Sequence, residues 1–113
     1  MRKSLLFIFM VAVLMWCATA QAQQQLTLTW TDNSTNETSF KVERGTVLAG
    51  PFTQIGTTLA NVATFIDSGL PDATQFCYRV RAGNAGGDSA FSNVACATTK
   101  TTPPAPPTNL VVQ

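Results

Sequence analysis

The sequence contains no histidine at all. That removes the usual general base for a serine or cysteine nucleophile, and no serine stands in a G-x-S-x-G turn. It also removes the commonest zinc ligand, and two thiols alone do not close a tetrahedral site. Paired carboxylates for glycosidase-type acid–base work are missing too. Asp32, Glu37, Asp67, Asp72 and Asp88 fall in loops or at loop edges, and Glu43 falls on a strand surface. The glycine-rich run Gly83-Asn84-Ala85-Gly86-Gly87 suits a hairpin turn better than a phosphate loop. No window carries the period of an amphipathic helix. These absences point away from catalysis, and neither a cofactor nor a metal is expected.

Positive charge is also scarce. Lys plus Arg number 7 against 6 for Asp plus Glu, and two of the 7 are Arg2 and Lys3. From Arg2 and Lys3 the chain passes into an uncharged stretch, Leu5–Ala18, and then into Ala18-Thr19-Ala20-Gln21-Ala22. A positive start, an apolar run and an A-x-A step form the order of a secretory signal peptide, expected over residues 1–22. The run is short for a membrane span, which needs ~20 residues. An uncleaved anchor is one alternative. Lipid attachment at Cys17 is another, but Trp16 stands where a small residue is needed. Cleavage after Ala20 or Ala22 leaves 7 − 2 = 5 cations against 6 anions. No basic patch remains for nucleic acid, and no basic amphipathic segment remains for a membrane surface. The expected location is secreted, periplasmic or at the cell surface.

What is present is a succession of short strands separated by turn residues. Leu26, Leu28 and Trp30 alternate with threonines over Leu26–Thr31, the period of a half-buried strand. Ser39–Arg44 alternates again, with Phe40 and Val42 inward. Phe52–Ile55 and Ala63–Ile66 read as further strands, and Asp67–Asp72 reads as a corner. The strongest pattern is Gln75–Gly83, with Phe76, Tyr78, Val80 and Ala82 on one face and Cys77, Arg79 and Arg81 on the other. Asn84–Asp88 is a turn and Ala90–Thr98 the last strand. Regular spacing of this kind predicts an all-β sandwich.

Cys77 and Cys96 remain after loss of Cys17, an even number suited to an oxidising compartment. Placing them opposite each other puts Tyr78 against Ala95 and Arg79 against Val94, with Ala85–Asp88 as the turn. Tyr78 and Ala95 then face the core, and both thiols face outward. Directly opposed residues have Cα separations of ~4.5–5.5 Å, within the ~4.4–6.8 Å that a disulfide accepts. The closed loop is worth roughly 3 kcal/mol in the chain-entropy account.

The segments LTLTWTDNS, SFKVERG, GPFTQIGTT, FIDSGLPDATQFCYRVRAGNAGG and SAFSNVACATT together resemble a fibronectin type III domain of the bacterial, extracellular sort. The resemblance covers residues 26–99 and implies an immunoglobulin-like β-sandwich. Leu26–Thr31 would be strand B, Ser39–Arg44 C, Phe52–Ile55 C′, Ala63–Ile66 E, Gln75–Gly83 F and Ala90–Thr98 G. Trp30 matches the buried core tryptophan, and Leu70 the leucine under the E–F corner. The corner tyrosine of the family is replaced by Phe76, and only Gln23-Gln24-Gln25 precede strand B, so strand A is missing. Residues 100–113 form a proline-rich linker and a segment, Pro106–Val112, that looks like the A strand of a following repeat. An open B edge invites strand exchange with another copy through Thr108–Val112, since the linker from Thr99 spans only about 28 Å when extended.

Contacts are expected in loops, at Asn33 and Asn36 within Asp32–Thr38 and at Asn84 and Asp88 within Asn84–Asp88. Adjacent loops of a sandwich alternate between its ends, so the two need not be close. The sequons at Asn33 and Asn36 are explained by loop composition, and Arg79 and Arg81 read as solvated strand positions. No Arg-Gly-Asp tripeptide occupies the turn, so integrin binding does not carry over. The leading functional reading is an exported binding, adhesion or spacer module that meets a protein or polysaccharide surface. The alternatives are an accessory domain of a secreted carbohydrate-active or multi-repeat surface protein, and a truncated fragment. N-terminal sequencing of exported protein should return Gln21 or Gln23; intact Met1 in the membrane fraction would establish an anchor instead.

Overall fold

The structure is a computed structural model that describes residues 23–113; the expected signal peptide lies outside the described residues. Seven strands and no helix occur among the described residues: β1 (Gln24–Thr29), β2 (Ser39–Gly45), β3 (Thr53–Leu59), β4 (Thr64–Leu70), β5 (Gln75–Asn84), β6 (Gly87–Asp88) and β7 (Ala95–Thr98). β1 and β4 form a two-stranded sheet. The second sheet runs β3-β2-β5-β6, with β7 also paired to β5. All the pairings are antiparallel.

Period two places the core. Phe40, Val42, Leu70, Phe76, Tyr78 and Val80 are buried together, and Leu26, Leu28, Ile55 and Phe65 pack against them. The sheets come close enough that a Cβ on Gly56 of β3 would meet the Phe65 ring of β4 at 2.6 Å, so a side chain there would have to displace that ring. Trp30 stacks edge-on against Phe40 with ring centroids 5.4 Å apart. It is half-buried rather than enclosed as expected, because, among the described residues, no strand covers β1 on its far side.

The expected corner at Asp67–Asp72 is largely strand. β4 continues to Leu70, and the register slips between the Leu26↔Asp67 and Gln24↔Leu70 pairs. Three steps on β4 thus oppose two on β1, and Gly69 at φ +71° accommodates the extra residue as a bulge. Turn-forming composition concealed a strand that bends.

The last strand departs furthest from expectation. Only Ala95–Thr98 is strand, not Ala90–Thr98. The Cys77↔Cys96 pairing has a residue sum of 77 + 96 = 173, and Gly83↔Asp88 has 83 + 88 = 171. Two surplus residues must therefore leave the ladder between them. Two serines fill the gap. Val80 N–H donates to Ser92 Oγ at 3.0 Å, and Ala82 N–H donates to Ser89 Oγ at 2.9 Å. The amides of Ser92 and Ser89 donate to Val80 O and Ala82 O, each at 2.8 Å. Side-chain hydroxyls thus take the place of ladder carbonyls, so β5 keeps its partners while the chain opposite it bulges outward. The Arg79–Val94 pairing does not form, and the turn shrinks from Ala85–Asp88 to Ala85-Gly86.

The Cys77–Cys96 disulfide has an S–S distance of 2.03 Å and a Cα–Cα distance of 4.0 Å, slightly tighter than the expected range. Tyr78 is buried as expected. Cys77 is also buried, although it faces outward, with Gln75 Nε2 3.6 Å from its sulfur. Ala95, expected in the core, is exposed, since the sandwich is open at this edge.

A polar cluster ties the two sheets. Arg44 Nη1 contacts both oxygens of Asp67, at 3.1 and 2.9 Å, and the Tyr78 hydroxyl donates to Asp67 Oδ2 at 2.6 Å. Burial first, and then the hydrogen bond to Asp67, push the Tyr78 phenol well above its usual range. The hydroxyl that Phe76 lacks at the corner is supplied two residues on, and to a carboxylate rather than to backbone. Asp67→Ala should cost about 2–3 kcal/mol in equilibrium denaturation, less than the ~3–5 of a fully enclosed pair because the Arg44 side chain is 32% exposed. Tyr78→Phe should cost about 1–2 kcal/mol in the same measurement.

Candidate functional site

Three connections meet at the pole where β1 ends. The β1–β2 loop is bonded to the β5–β6 hairpin: Thr38 N–H donates to Gly83 O at 2.8 Å, and Asn84 Nδ2 donates to Asn36 O at 3.1 Å. It is also bonded to the β3–β4 turn, where the Asn61 amide donates to Glu37 Oε2 at 2.9 Å. The two loops, whose proximity the sequence left open, therefore form one surface. Loops alternate between poles along the chain, but the β1–β2 loop and the β5–β6 turn are separated by an even number of crossings and return to the same end.

The expected contact residues divide among different places. Asn36 and Asn84 sit together at this pole. Asn33 is exposed on the same loop and lines a groove beside β1. Asp88 lies on the outer face of the second sheet, where Lys41 Nζ is 2.8 Å and Arg81 Nη2 3.5 Å away. Glu37, which gave no functional signal in the sequence, is buried and fixes the β3–β4 turn. Asp32 accepts from the Ser34 amide at 2.9 Å, an Asx turn that shapes the loop from within. The pole therefore presents amides, hydroxyls and the exposed aliphatic groups of Leu59 and Val62. No lysine or arginine falls within residues 31–38, 60–63 or 84–87. The carboxylates within these residues are Asp32, turned back onto Ser34, and the buried Glu37, so the exposed groups are mainly neutral.

The outer face of the second sheet is built differently. Arg79 lies 3.7 Å from the Phe91 ring centroid and 4.4 Å from that of Phe52, and Arg81 lies 4.5 Å from Phe91. Arg79 Nη2 pairs with Glu43 Oε1 at 2.8 Å. The two arginines are therefore stacked and paired rather than freely solvated. The bulge after β6 is what swings Phe91 between them. Lys41, Arg79 and Arg81 against Glu43 and Asp88 leave this face at 3 − 2 = +1. Among the described residues, no group of three or more His, Cys, Asp or Glu is placed to hold a metal ion.

Two antiparallel sheets packed face to face, with β2 and β5 central in one and β1 and β4 in the other, make this an immunoglobulin-like sandwich. The fold is that of a fibronectin type III domain. The sixth such domain of human fibronectin type III domain containing protein 3 superposes with a TM-score of 0.58 at 22% identity, covering 80% of this chain and 85% of that one. A further fibronectin type III domain of that human protein gives 0.59 at 22%, covering 74% and 80%. The twitchin kinase region from C. elegans gives 0.55 at 19%, covering 66% of this chain and only 13% of that one. No family model and no curated protein matches the chain.

The Asp88 carboxyl is held below its ordinary range, first by the hydrogen bond from Lys41 and then by the charges of Lys41 and Arg81, against some desolvation. Its ionised form therefore contributes stability above the unfolded-state value near ~3.9, and that contribution is lost as pH falls through the lower folded value. An NMR titration should show Asp88 protonating at lower pH than a free aspartate, and Lys41→Gln should move it upward.

Proposed function

We propose that this chain is an exported, non-catalytic binding or adhesion module whose contact surface is the pole formed by the β1–β2 loop, the β3–β4 turn and the β5–β6 turn. One observation carries this reading. Three connections distant in sequence are cross-linked by hydrogen bonds through Thr38, Glu37 and Asn84, so their tips are held in a fixed relation. A preorganised surface loses little conformational entropy on binding. The fibronectin type III fold supports the coarser statement, since that fold is commonly a non-catalytic module. Export rests on the charge and hydropathy order of residues 1–22.

A second reading has its own observation. Leu110, Val111 and Val112 are exposed at the end of a proline-rich stretch, as the first strand of a further domain would be. On that reading the chain is an accessory or spacer unit of a larger secreted protein. A reading frame that continues past Gln113 into further strands would favour it.

Thr35 and Ala85 are exposed at the tips of two of the three connections. The full chain, tested against immobilised extracellular proteins and insoluble polysaccharides, should bind at least one of them. Thr35→Arg with Ala85→Arg should weaken that binding by about tenfold or more with little change in stability. Undiminished binding by the double variant would remove the pole as the contact surface.

A further inference from the structure

Among the described residues, β1 is hydrogen-bonded to β4 alone, and nothing pairs with its other edge. A groove of about 630 Å³ runs along that edge between β1 and the chain from Ser92 to Ala97. Leu26, Leu28 and Trp30 line one side, Tyr78 and Val80 the floor, and Ala95 the other side. The interior of the sandwich is thus reachable from this edge. A two-stranded sheet is marginal by itself. Strand edges are normally blunted by charge or proline. Gln24–Thr29 contains neither.

The free edge has a defined hydrogen-bonding pattern. Trp30 N–H donates to Ala63 O at 3.2 Å, so the even-numbered residues of β1 turn their backbone groups toward β4. Gln25, Thr27 and Thr29 turn theirs outward. These are the donors and acceptors that an added strand would satisfy.

A segment of matching character lies in the same chain. Residues 103–113 form no strand, and Leu110, Val111 and Val112 are 91%, 71% and 90% exposed. Thr108–Val112 is uncharged, and Leu110 and Val112 fall on one face of an extended strand. Asn109 stands at φ 58°, a conformation that asparagine leaves easily for the β region.

The start of this tail is fixed. Thr102 donates to Asp72 through its amide at 2.8 Å and its hydroxyl at 2.9 Å, and Gln24 Nε2 donates to Thr102 Oγ1 at 3.2 Å. The free part therefore begins beside the first residue of β1. Between Thr102 and Thr108 stand five residues, four of them proline, which span about 16 Å as polyproline II. β1 itself is about 20 Å long. An antiparallel approach to its own β1 requires the linker to climb most of the strand and then reverse within a run of prolines that resists bending. A parallel approach brings Thr108 to the far end with little of β1 left to pair. Neither limit applies to another molecule's β1.

We infer that the groove beside β1 is an acceptor for the Thr108–Val112 strand of a second copy of this chain, with the exchange reciprocal and closed. It does not rest on the loop-pole reading, whose surface the groove meets only at Trp30, Thr31 and Asn33. Reciprocal exchange satisfies both open edges and stops at two copies, whereas one-way donation would polymerise.

Sedimentation velocity on the full chain over a wide concentration range tests this, with hydrogen exchange at the Thr27 and Thr29 amides. Mass should rise about twofold with concentration, and the two amides should become protected in step. Leu110→Asp with Val112→Asp should leave a folded monomer, with unchanged protection at Val80 and rapid exchange at Thr27 and Thr29. Several results would overturn the inference. One is a chain that stays monomeric throughout. If its β1 amides are protected and the double variant exposes them, the tail reaches its own β1. If they are protected regardless of the variant, another segment, such as residues 1–22, occupies the edge. A dimer that leaves Thr27 and Thr29 exchanging freely, or that survives the double variant, would place the contact elsewhere.

Discussion

The two-residue period of β5 sets the position of nearly everything else. Its inward residues Phe76, Tyr78 and Val80 form the middle of the core. Its outward residues Cys77, Arg79 and Arg81 carry the disulfide and the aromatic stack. β2 lies against it over seven pairs from Ser39↔Gly83 to Gly45↔Cys77, so Val42 meets Val80 and Glu43 meets Arg79. A slip of one residue would bring the arginines into the core and the aromatic rings into water. That penalty fixes the register of β2, and with it β3.

The smaller sheet has no such internal anchor. Two strands cannot hold their own register by hydrogen bonds alone. β4 is located by Asp67, which reaches across to Arg44 and Tyr78, and by Leu70 beneath the corner. β1 is located by Trp30 against Phe40. These ties act near opposite ends of the sheet, so between them they define its angle as well as its distance. Removing Asp67 would leave the half-buried Arg44 and the buried Tyr78 hydroxyl without the partner they share across the sheets.

Local pattern revealed the parts that local pattern controls. Alternation over Leu26–Trp30, Phe40–Val42 and Phe76–Ala82 named the core faces, and the spacing of Cys77 and Cys96 named their pairing. What stayed hidden depends on residues far apart. Asp67 looked like a corner residue because its partners lie 23 and 11 positions away. Ser92 looked like an ordinary strand residue and Ser89 like the step leading into the strand, because a hydroxyl that stands in for a carbonyl leaves no trace in hydropathy. The surplus of two residues between the hairpin and the disulfide was legible in principle. It follows from arithmetic once the turn is taken as the two residues Ala85-Gly86 instead of four. The meeting of Asn36 with Asn84 required the parity of the crossings, which the strand order already contained.

The tail joins these points. Thr99 donates to Pro71 O at 2.6 Å and accepts from the Thr74 amide at 2.9 Å, so the end of β7 is fastened to the corner that closes β4. Asp72 extends the same fastening to Thr102, and the Thr102 amide and hydroxyl hold its carboxyl below the usual aspartate range. Fastening the chain this far shortens the free linker from the nine residues of Thr99–Pro107 to five. A longer linker would let Thr108–Val112 fold back and close its own sandwich. The corner hydrogen bonds at neutral pH therefore do more than finish β7. By removing the slack, they shorten the reach of the apolar segment toward the open edge of β1 in its own chain.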